Sequence, residues 1–92
     1  MTNVIYKLVD PRIWAEAMTA GVFKGVGVDV EDGYIHLSTS AQLPGTLEKW
    51  FTGFERLALI EVDADHFGPE LKWEKARGGE LFPHLYDELP MI

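Results

Sequence analysis

Apolar residues recur along the chain at two spacings, one typical of strands and one typical of helices. Runs rich in β-branched and aromatic residues, several of them alternating with polar residues, predict five strands. They span residues 4–9, 34–38, 57–62, 71–75 and 81–86. Because proline cannot donate a ladder hydrogen bond, Pro83 predicts that the last strand lies at a sheet edge or is irregular.

Two helices are predicted between these strands. The first begins at Asp10-Pro11, an N-cap followed by a proline at the first helical position, and ends at Gly21. The second follows the strand at 34–38 and has Ser38 or Ser40 as its cap. Its predicted buried stripe has the spacing i, i+4, i+7, i+8 and consists of Leu43, Leu47, Trp50 and Phe51.

The segment between the first helix and the second strand is rich in glycine. Residues 22–33 are therefore predicted as a loop, with a short strand near 26–30. In the whole chain the helices come early and most of the strands come late. This order predicts an α+β fold with a mixed, mostly antiparallel sheet and two helices.

Length and composition restrict the class of protein. Ninety-two residues, 47% of them hydrophobic, predict a single folded domain over residues 1–92. The chain has no cysteine, which excludes disulfides and thiolate metal ligands and suits the cytoplasm, the expected location. A net charge of −7 repels phosphate backbones, so no nucleic-acid partner is expected. No apolar run approaches the roughly 20 residues of a membrane span, so no membrane partner is expected.

The stretch DGYIHLSTSAQ, residues 32–42, concentrates hydrogen-bonding side chains beside an apolar strand. Strand alternation puts His36 and Ser38 on one face, roughly 7 Å apart. In a functional interpretation, His36 is a hydrogen-bond donor or general base that Ser38 orients. In a structural interpretation, the ring is tied to a backbone carbonyl and Ser38 caps the next helix. The residues alone leave both interpretations open.

The residues that follow this strand have two interpretations as well. Ser38, Thr39 and Ser40 either offer hydroxyl groups to a ligand or cap the helix. Gln42 lies in the first helical turn, where it either contacts a ligand or completes a capping box.

Polar side chains on the late strands form a second candidate group. Glu74 neighbours Trp73, and a carboxylate beside aromatic surface is expected to have a raised pKa and to act as an acid or base. The alternative is a surface glutamate paired with a neighbouring lysine. His84 and Tyr86 share one face of the last strand.

A third histidine lies in a turn. His66 follows Asp63 and Asp65, but their spacing matches no defined metal-binding loop. A turn with an N-cap is expected there, and no metal site is predicted.

Three pieces of the sequence carry a resemblance to a known family. They are VIYKLV with Trp14 downstream, DGYIHLSTSAQ, and LKWEKARGGELFPHLYDELP. Together they resemble the bacterial family described as domain of unknown function 952, over nearly the whole chain. The fold of that family is grouped with the ADP-ribosyltransferase-like folds, in which a split, twisted sheet opens a cleft that holds NAD.

The resemblance implies a small-molecule ligand of the nucleotide type, with NAD as a possible substrate. Ser38-Thr39-Ser40 matches the second-strand motif of the transferases, and Glu74, or alternatively Glu80, matches their late glutamate. Lys7 occupies the first-strand position where relatives are expected to carry histidine. The expected catalytic residues are Glu74 and His36, and the expected ligand-binding residues are Lys7, His36, Ser38, Thr39, Gln42, His84 and Tyr86. A non-catalytic ligand- or protein-binding module is the alternative function.

Overall fold

The computed structural model describes residues 3–90, which form three α-helices and seven strands. The helices are α1 (Pro11–Ala20), α2 (Val28–Asp32) and α3 (Leu43–Trp50). The strands are β1 (Val4–Val9), β2 (Val22–Phe23), β3 (Ile35–His36), β4 (Ala58–Asp63), β5 (Leu71–Lys75), β6 (Leu81–Leu85) and β7 (Leu89–Pro90). The predicted α+β class is confirmed.

The strands form two larger sheets and one small pair. β1 pairs with β4, β2 pairs with β7, and β6 lies between β3 and β5. A bridge joins the two larger sheets at the end of β3, where Tyr6 and Ser38 exchange backbone hydrogen bonds of 2.7 and 2.9 Å. Every strand pair within residues 3–90 is antiparallel, so the parallel part of the predicted mixed sheet does not occur there.

Of the two predicted alternatives for the last strand, an edge position or an irregular strand, the edge position is wrong, because β6 is the central strand of its sheet. The carbonyl of Pro83 accepts a hydrogen bond from the Leu37 N–H at 3.1 Å. The second hydrogen bond of this pair, from the backbone nitrogen of Pro83 to the carbonyl of Leu37, cannot form because proline has no N–H. The sheet therefore lacks one ladder bond at this point, while the proline ring is fully buried.

The predicted strand near residues 26–30 is also wrong, since α2 occupies most of that segment. Two acidic residues, Asp29 and Glu31, lie in its first turn, where the positive end of a helix dipole favours them. The carboxylate of Asp29 accepts a hydrogen bond from the backbone N–H of Val26 at 3.1 Å. Gly33 ends the helix with a φ of +83°, a conformation that glycine adopts without strain.

Helix α1 matches its predicted boundaries. The Asp10 carboxylate accepts a hydrogen bond from the Arg12 N–H at 2.8 Å, and Gly21 follows the helix in the left-handed conformation with φ +84°. The core beneath α1 and the sheets consists of Ile5, Val9, Ala17, Phe23, Ile35, Leu37, Val62, Ala64, Leu85 and Leu89. No helix within residues 3–90 is long and apolar enough to span a membrane.

The buried stripe predicted for α3 is wrong. Leu47 is 40% exposed and Trp50 is 52% exposed, and no residue of the helix is buried. Trp50 and Phe51, at the C-terminal end of α3 and directly after it, line an open cavity, so this end of the predicted stripe forms part of a cavity wall. The cap that leads into α3 is Thr39, not Ser38 or Ser40.

Candidate functional site

Two histidines that are far apart in the sequence lie side by side. His36 of β3 and His84 of β6 are direct partners in the antiparallel ladder, and their ring centroids are 5.4 Å apart. Tyr34 stacks on His84 with 4.2 Å between ring centroids and lies 4.6 Å from His36. Strand alternation thus places all three rings on one side of the sheet.

Both imidazoles line a cavity of about 520 Å³ between the sheet, α2 and α3. We call it the His36–His84 pocket. Lys7, Asp29 and Ser38 line its sheet and α2 sides. The opposite wall, around the end of α3, is formed largely by Thr46, Lys49, Trp50, Phe51 and Phe54.

Two carboxylates hold the ring of His36. Its Nδ1 is 2.7 Å from Oδ1 of Asp29, and its Nε2 is 3.0 Å from Oδ2 of Asp32. Both contacts are hydrogen bonds at the same time only when both ring nitrogens carry hydrogen. The predicted orienting role of Ser38 is therefore wrong, because Ser38 Oγ bonds to Thr46 Oγ1 at 3.0 Å and the two aspartates orient the imidazole.

Asp29 is one residue of the site that sequence reasoning missed. Its side chain is only 1% exposed, and its carboxylate lies 2.9 Å from the ammonium of Lys7. Burial by itself raises the pKa of this carboxyl, but the hydrogen bond from His36 and the charge of Lys7 outweigh it, so the pKa of Asp29 is lowered. In the sequence, Asp29 is marked merely as an acidic residue between two apolar ones, Val28 and Val30.

The ammonium of Lys7, a predicted ligand-binding group, is engaged by the protein. Besides both carboxylate oxygens of Asp29, it donates to the carbonyl of His36 at 3.0 Å. Burial lowers the pKa of Lys7, and the attraction of Asp29 offsets only part of that effect. Lys7 lines the pocket, but its donors are directed at the ion pair and the β3 carbonyl.

A second carboxylate holds His84. Oε1 of Glu74 lies 2.9 Å from Nδ1 of His84 and accepts a hydrogen bond of 2.7 Å from the hydroxyl of Tyr86. Both bonds lower the pKa of Glu74, and the bond with His84 has the larger effect. The raised pKa predicted for Glu74 is therefore wrong. The same carboxylate raises the pKa of Tyr86 to about 12.

The outer nitrogen of His84 has no such partner. Its side chain is 4% exposed, yet no group within residues 3–90 is hydrogen bonded to Nε2. No fully buried polar side-chain atom of the described chain lacks a partner, so Nε2 retains some accessible surface, and His84 is one of the residues that line the pocket. The pocket therefore contains one imidazole nitrogen that is open to a ligand.

Thr39 and Gln42 lie outside this pocket. They form the predicted capping box: the Thr39 N–H donates to Oε1 of Gln42 at 3.0 Å, and the Gln42 N–H donates to Oγ1 of Thr39 at 3.3 Å. Nε2 of Gln42 also donates to the carbonyl of Leu81 at 2.9 Å. Thr39 lines a different cavity, of about 550 Å³, together with Trp73. The structural interpretation of this pair is confirmed.

The structure thus divides the predicted site residues into three groups. Lys7, His36, Ser38 and His84 line the pocket, Glu74 and Tyr86 support His84 from behind, and Thr39 and Gln42 cap the helix. The ligand-binding and catalytic roles given to them stay predictions.

Arg77 is a further pocket residue that sequence reasoning did not select. Its guanidinium lies 4.9 Å from the ring centroid of Phe82 and 3.5 Å from Oγ1 of Thr46. Together with Lys49 it adds positive charge to the wall opposite the aspartates. Arg77 precedes two glycines, a pattern that is typical of a turn. The sequence therefore did not indicate that Arg77 lines the pocket.

The turn that contains His66 has a structural role. The Asp63 carboxylate accepts a hydrogen bond from the Asp65 N–H at 3.0 Å and caps the 3₁₀ turn Ala64–His66, as predicted. Within residues 3–90, no group of three or more histidine, cysteine or acidic side chains is arranged to hold a metal ion.

Comparison with known proteins places the chain in a family. The family model described as protein of unknown function (DUF952) matches residues 8–92. The chain belongs to this family. The resemblance inferred from the sequence is thereby confirmed at the family level, and a comparison with curated proteins finds no match.

Solved structures of a relative have the same fold. The crystal structure of protein CC0527 from Caulobacter crescentus is 45% identical, covers 96% of this chain and 77% of that chain, and has a TM-score of 0.92. The solution NMR structure of CC0527 is 45% identical over 96% of this chain and 76% of that chain, with a TM-score of 0.85.

Proposed function

We propose that the chain binds a small molecule of the nucleotide type in the His36–His84 pocket, within an ADP-ribosyltransferase-like fold, and that NAD is the first ligand to test. The observation that carries this proposal is the open nitrogen of His84. A nearly buried imidazole with one nitrogen anchored and the other facing a cavity is suited to hydrogen bonding with a bound molecule.

The size and lining of the pocket support a ligand with a planar ring and an anionic group. A volume of about 520 Å³ falls within the range of small-molecule sites. Trp50 and Phe51 offer aromatic surface against which a planar ring can stack. Arg77, whose fixed fork of N–H donors matches phosphate geometry, lines the same space. The absence of cysteine suits a cytoplasmic location for this function.

A binding module without ADP-ribosyl transfer is the second candidate, and the state of Lys7 favours it. The ammonium contacts Asp29 and the His36 carbonyl, so it does not present an imidazole-like hydrogen-bonding group to a nucleotide. Binding and turnover are separable: retention of NAD without release of nicotinamide identifies this second candidate.

An amide chemical-shift titration with NAD, ADP-ribose and nicotinamide mononucleotide tests the proposal. We expect shifts that cluster in residues 34–38 and 82–84 and around Arg77 at millimolar ligand. Shifts that are absent at that concentration, or that cluster around Trp73 and the other cavity, contradict it.

Two matched variants test the anionic part of the ligand. Removal of a charge-assisted hydrogen bond costs about 1.5–3 kcal/mol, so Arg77→Gln is expected to weaken ADP-ribose binding at least roughly tenfold. Arg56→Gln removes the same charge from an exposed position outside the pocket and is expected to leave the affinity unchanged. Equal effects of the two variants contradict a phosphate contact at Arg77.

A further inference from the structure

We infer that His84 is a general base, that Glu74 and Tyr86 are its positioning residues, and that it activates water against a phosphate ester bound in the pocket. The inference rests on the proposed function in one respect, namely that an anionic ligand enters the same pocket. It assigns to His84 the proton-transfer role that the sequence suggested for Glu74.

The hydrogen bond to Glu74 fixes the tautomer of His84. The lowered pKa of Glu74 keeps it ionised at neutral pH, and a carboxylate can only accept hydrogen bonds. The contact of 2.9 Å therefore requires a hydrogen on Nδ1 of His84. In the neutral ring, the lone pair is then on Nε2, the nitrogen without a partner within residues 3–90.

The surroundings also fix the orientation of the ring. His84 lies on the central strand β6 between Pro83 and Leu85, both of which are fully buried. Tyr34 stacks on the imidazole with an interplanar angle of 26°. Tyr86 donates to the same oxygen of Glu74 that His84 uses, which holds the carboxylate in place. A base whose ring plane and tautomer are both set needs little rearrangement before proton transfer.

The neighbouring imidazole is not equivalent. Both nitrogens of His36 face carboxylates, Asp29 at 2.7 Å and Asp32 at 3.0 Å, so neither offers a free lone pair. Glu74 does not line the pocket, which makes it a support for His84 and not a group that touches the ligand. The structure thus distinguishes His84 among the candidate bases.

The step is balanced without a metal or a redox partner. The lone pair on Nε2 of His84 takes a proton from water as the water oxygen forms a bond to phosphorus. The bond from phosphorus to the leaving alcohol breaks, and its electron pair goes to that alcohol's oxygen. The leaving oxygen, or solvent, then takes the proton from Nε2, which restores the lone pair. Arg77 faces the charge that accumulates on the phosphoryl oxygens.

Nitrogen-15 NMR at pH 9, well above the ordinary titration range of imidazole, tests the tautomer directly. We expect His84 to carry its hydrogen on Nδ1 in the unmodified chain and to lose that preference in Glu74→Gln. An Nε2–H tautomer in the unmodified chain overturns the inference. Because no nucleotide is present, this outcome does not depend on whether the proposed function holds.

Hydrolysis of bis(4-nitrophenyl) phosphate, followed by release of nitrophenolate, tests the base. General-base groups contribute about 10²- to 10⁴-fold, so His84→Gln is expected to lower kcat/KM by that order. Glu74→Gln, at a half-exposed position, is expected to lower kcat by roughly 10- to 100-fold with little change in KM and to shift the pH profile. His66→Gln, at an exposed histidine, is the matched control and keeps full activity. A rate for the unmodified chain equal to that of His84→Gln overturns the inference, and circular dichroism of each variant checks its folding.

Discussion

At the scale of single residues, Asp29 organises the largest number of groups in the site. Its carboxylate contacts the Lys7 ammonium, the His36 ring, and the backbone N–H groups of His36 and Val26. These bonds connect β1, β3 and the loop before α2 through one side chain that is nearly inaccessible to water. A buried charge of this kind is tolerated because every neighbour satisfies it.

The first prediction concerns Asp29→Asn. Removing the charge leaves the Lys7 ammonium buried without its counter-ion, which costs about 3–5 kcal/mol in similar pairs. Urea denaturation should show this loss in the free energy of unfolding. Asp32→Asn, at a side chain that is 48% exposed, is the control and should cost less than about 1 kcal/mol. Lys7→Met combined with Asp29→Asn should recover part of the loss. Equal costs for Asp29→Asn and Asp32→Asn would show that burial of the Lys7–Asp29 pair is not the cause.

The second prediction concerns Tyr86, whose hydroxyl is hydrogen bonded to Glu74. A neighbouring carboxylate disfavours the phenolate, and the pKa of Tyr86 is raised to about 12. Carbon-13 NMR of the tyrosine Cζ should show this titration, and Glu74→Gln should return the pKa towards the ordinary value near 10. Glu80→Gln, which removes an exposed glutamate from the adjacent turn, should leave the titration unchanged. A Tyr86 pKa that is insensitive to Glu74→Gln would disprove the contact.

Strand periodicity explains which site residues were predictable. A period of two places His36 and His84 on defined faces, and that information is local, so the candidates were identified before any pairing was known. The role of Asp29 depends on its contact with Lys7, and the position of Arg77 depends on its contact with Thr46; contacts between residues so far apart in the sequence have no local signature. The error in the pKa of Glu74 has the same origin, because its hydrogen-bond donors come from another strand.

At the scale of elements, the reliable predictions are those in which local chemistry and tertiary packing agree. Helix α1 has a capping aspartate, a proline in its first turn and a terminal glycine, all of which act locally. Helix α2 has only five residues between glycines, too few to show a helical period. The central position of β6 was missed because the pairing of β3 accommodates Pro83, at the expense of one ladder bond.

The third prediction concerns the turn that leads into α3. Thr39→Ala removes the side-chain acceptor for the Gln42 N–H, and loss of an N-cap typically costs about 0.5–2 kcal/mol. Ser40→Ala, one residue later and exposed, should change the free energy of unfolding by less than about 0.5 kcal/mol. Thermal or urea denaturation of both variants gives the comparison. If Ser40→Ala were the more costly variant, Thr39 would not be the cap.

At the scale of the whole molecule, some apolar side chains line the pocket and are not packed in the core. The stripe on α3 has the helical spacing of a buried face, yet Trp50 and Phe51 line a cavity. Periodicity identifies the side of a helix that avoids bulk water, but it does not distinguish a packed core from a pocket wall. The α+β class follows from the order of the elements, whereas the cavity between α3 and the sheet depends on long-range packing that periodicity does not encode.

The last prediction concerns the stability of the molecule in acid. The pKa values of Asp29 and Glu74 are both lower in the folded state than in the unfolded chain. At a pH between the folded-state and unfolded-state pKa of either carboxyl, the unfolded state therefore binds more protons. Their contribution to the free energy of unfolding is complete above the ordinary carboxyl range, near pH 4.5, and is lost as the pH falls through the folded-state values. Urea denaturation between pH 7 and pH 2.5 should therefore show stability falling most steeply below about pH 4.5. Glu74→Gln should reduce this slope, whereas Glu55→Gln, at an exposed position apart from both carboxylate networks, should keep it. A slope that is the same in both variants would mean that the bonds from His84 and Tyr86 to Glu74 do not contribute to folding.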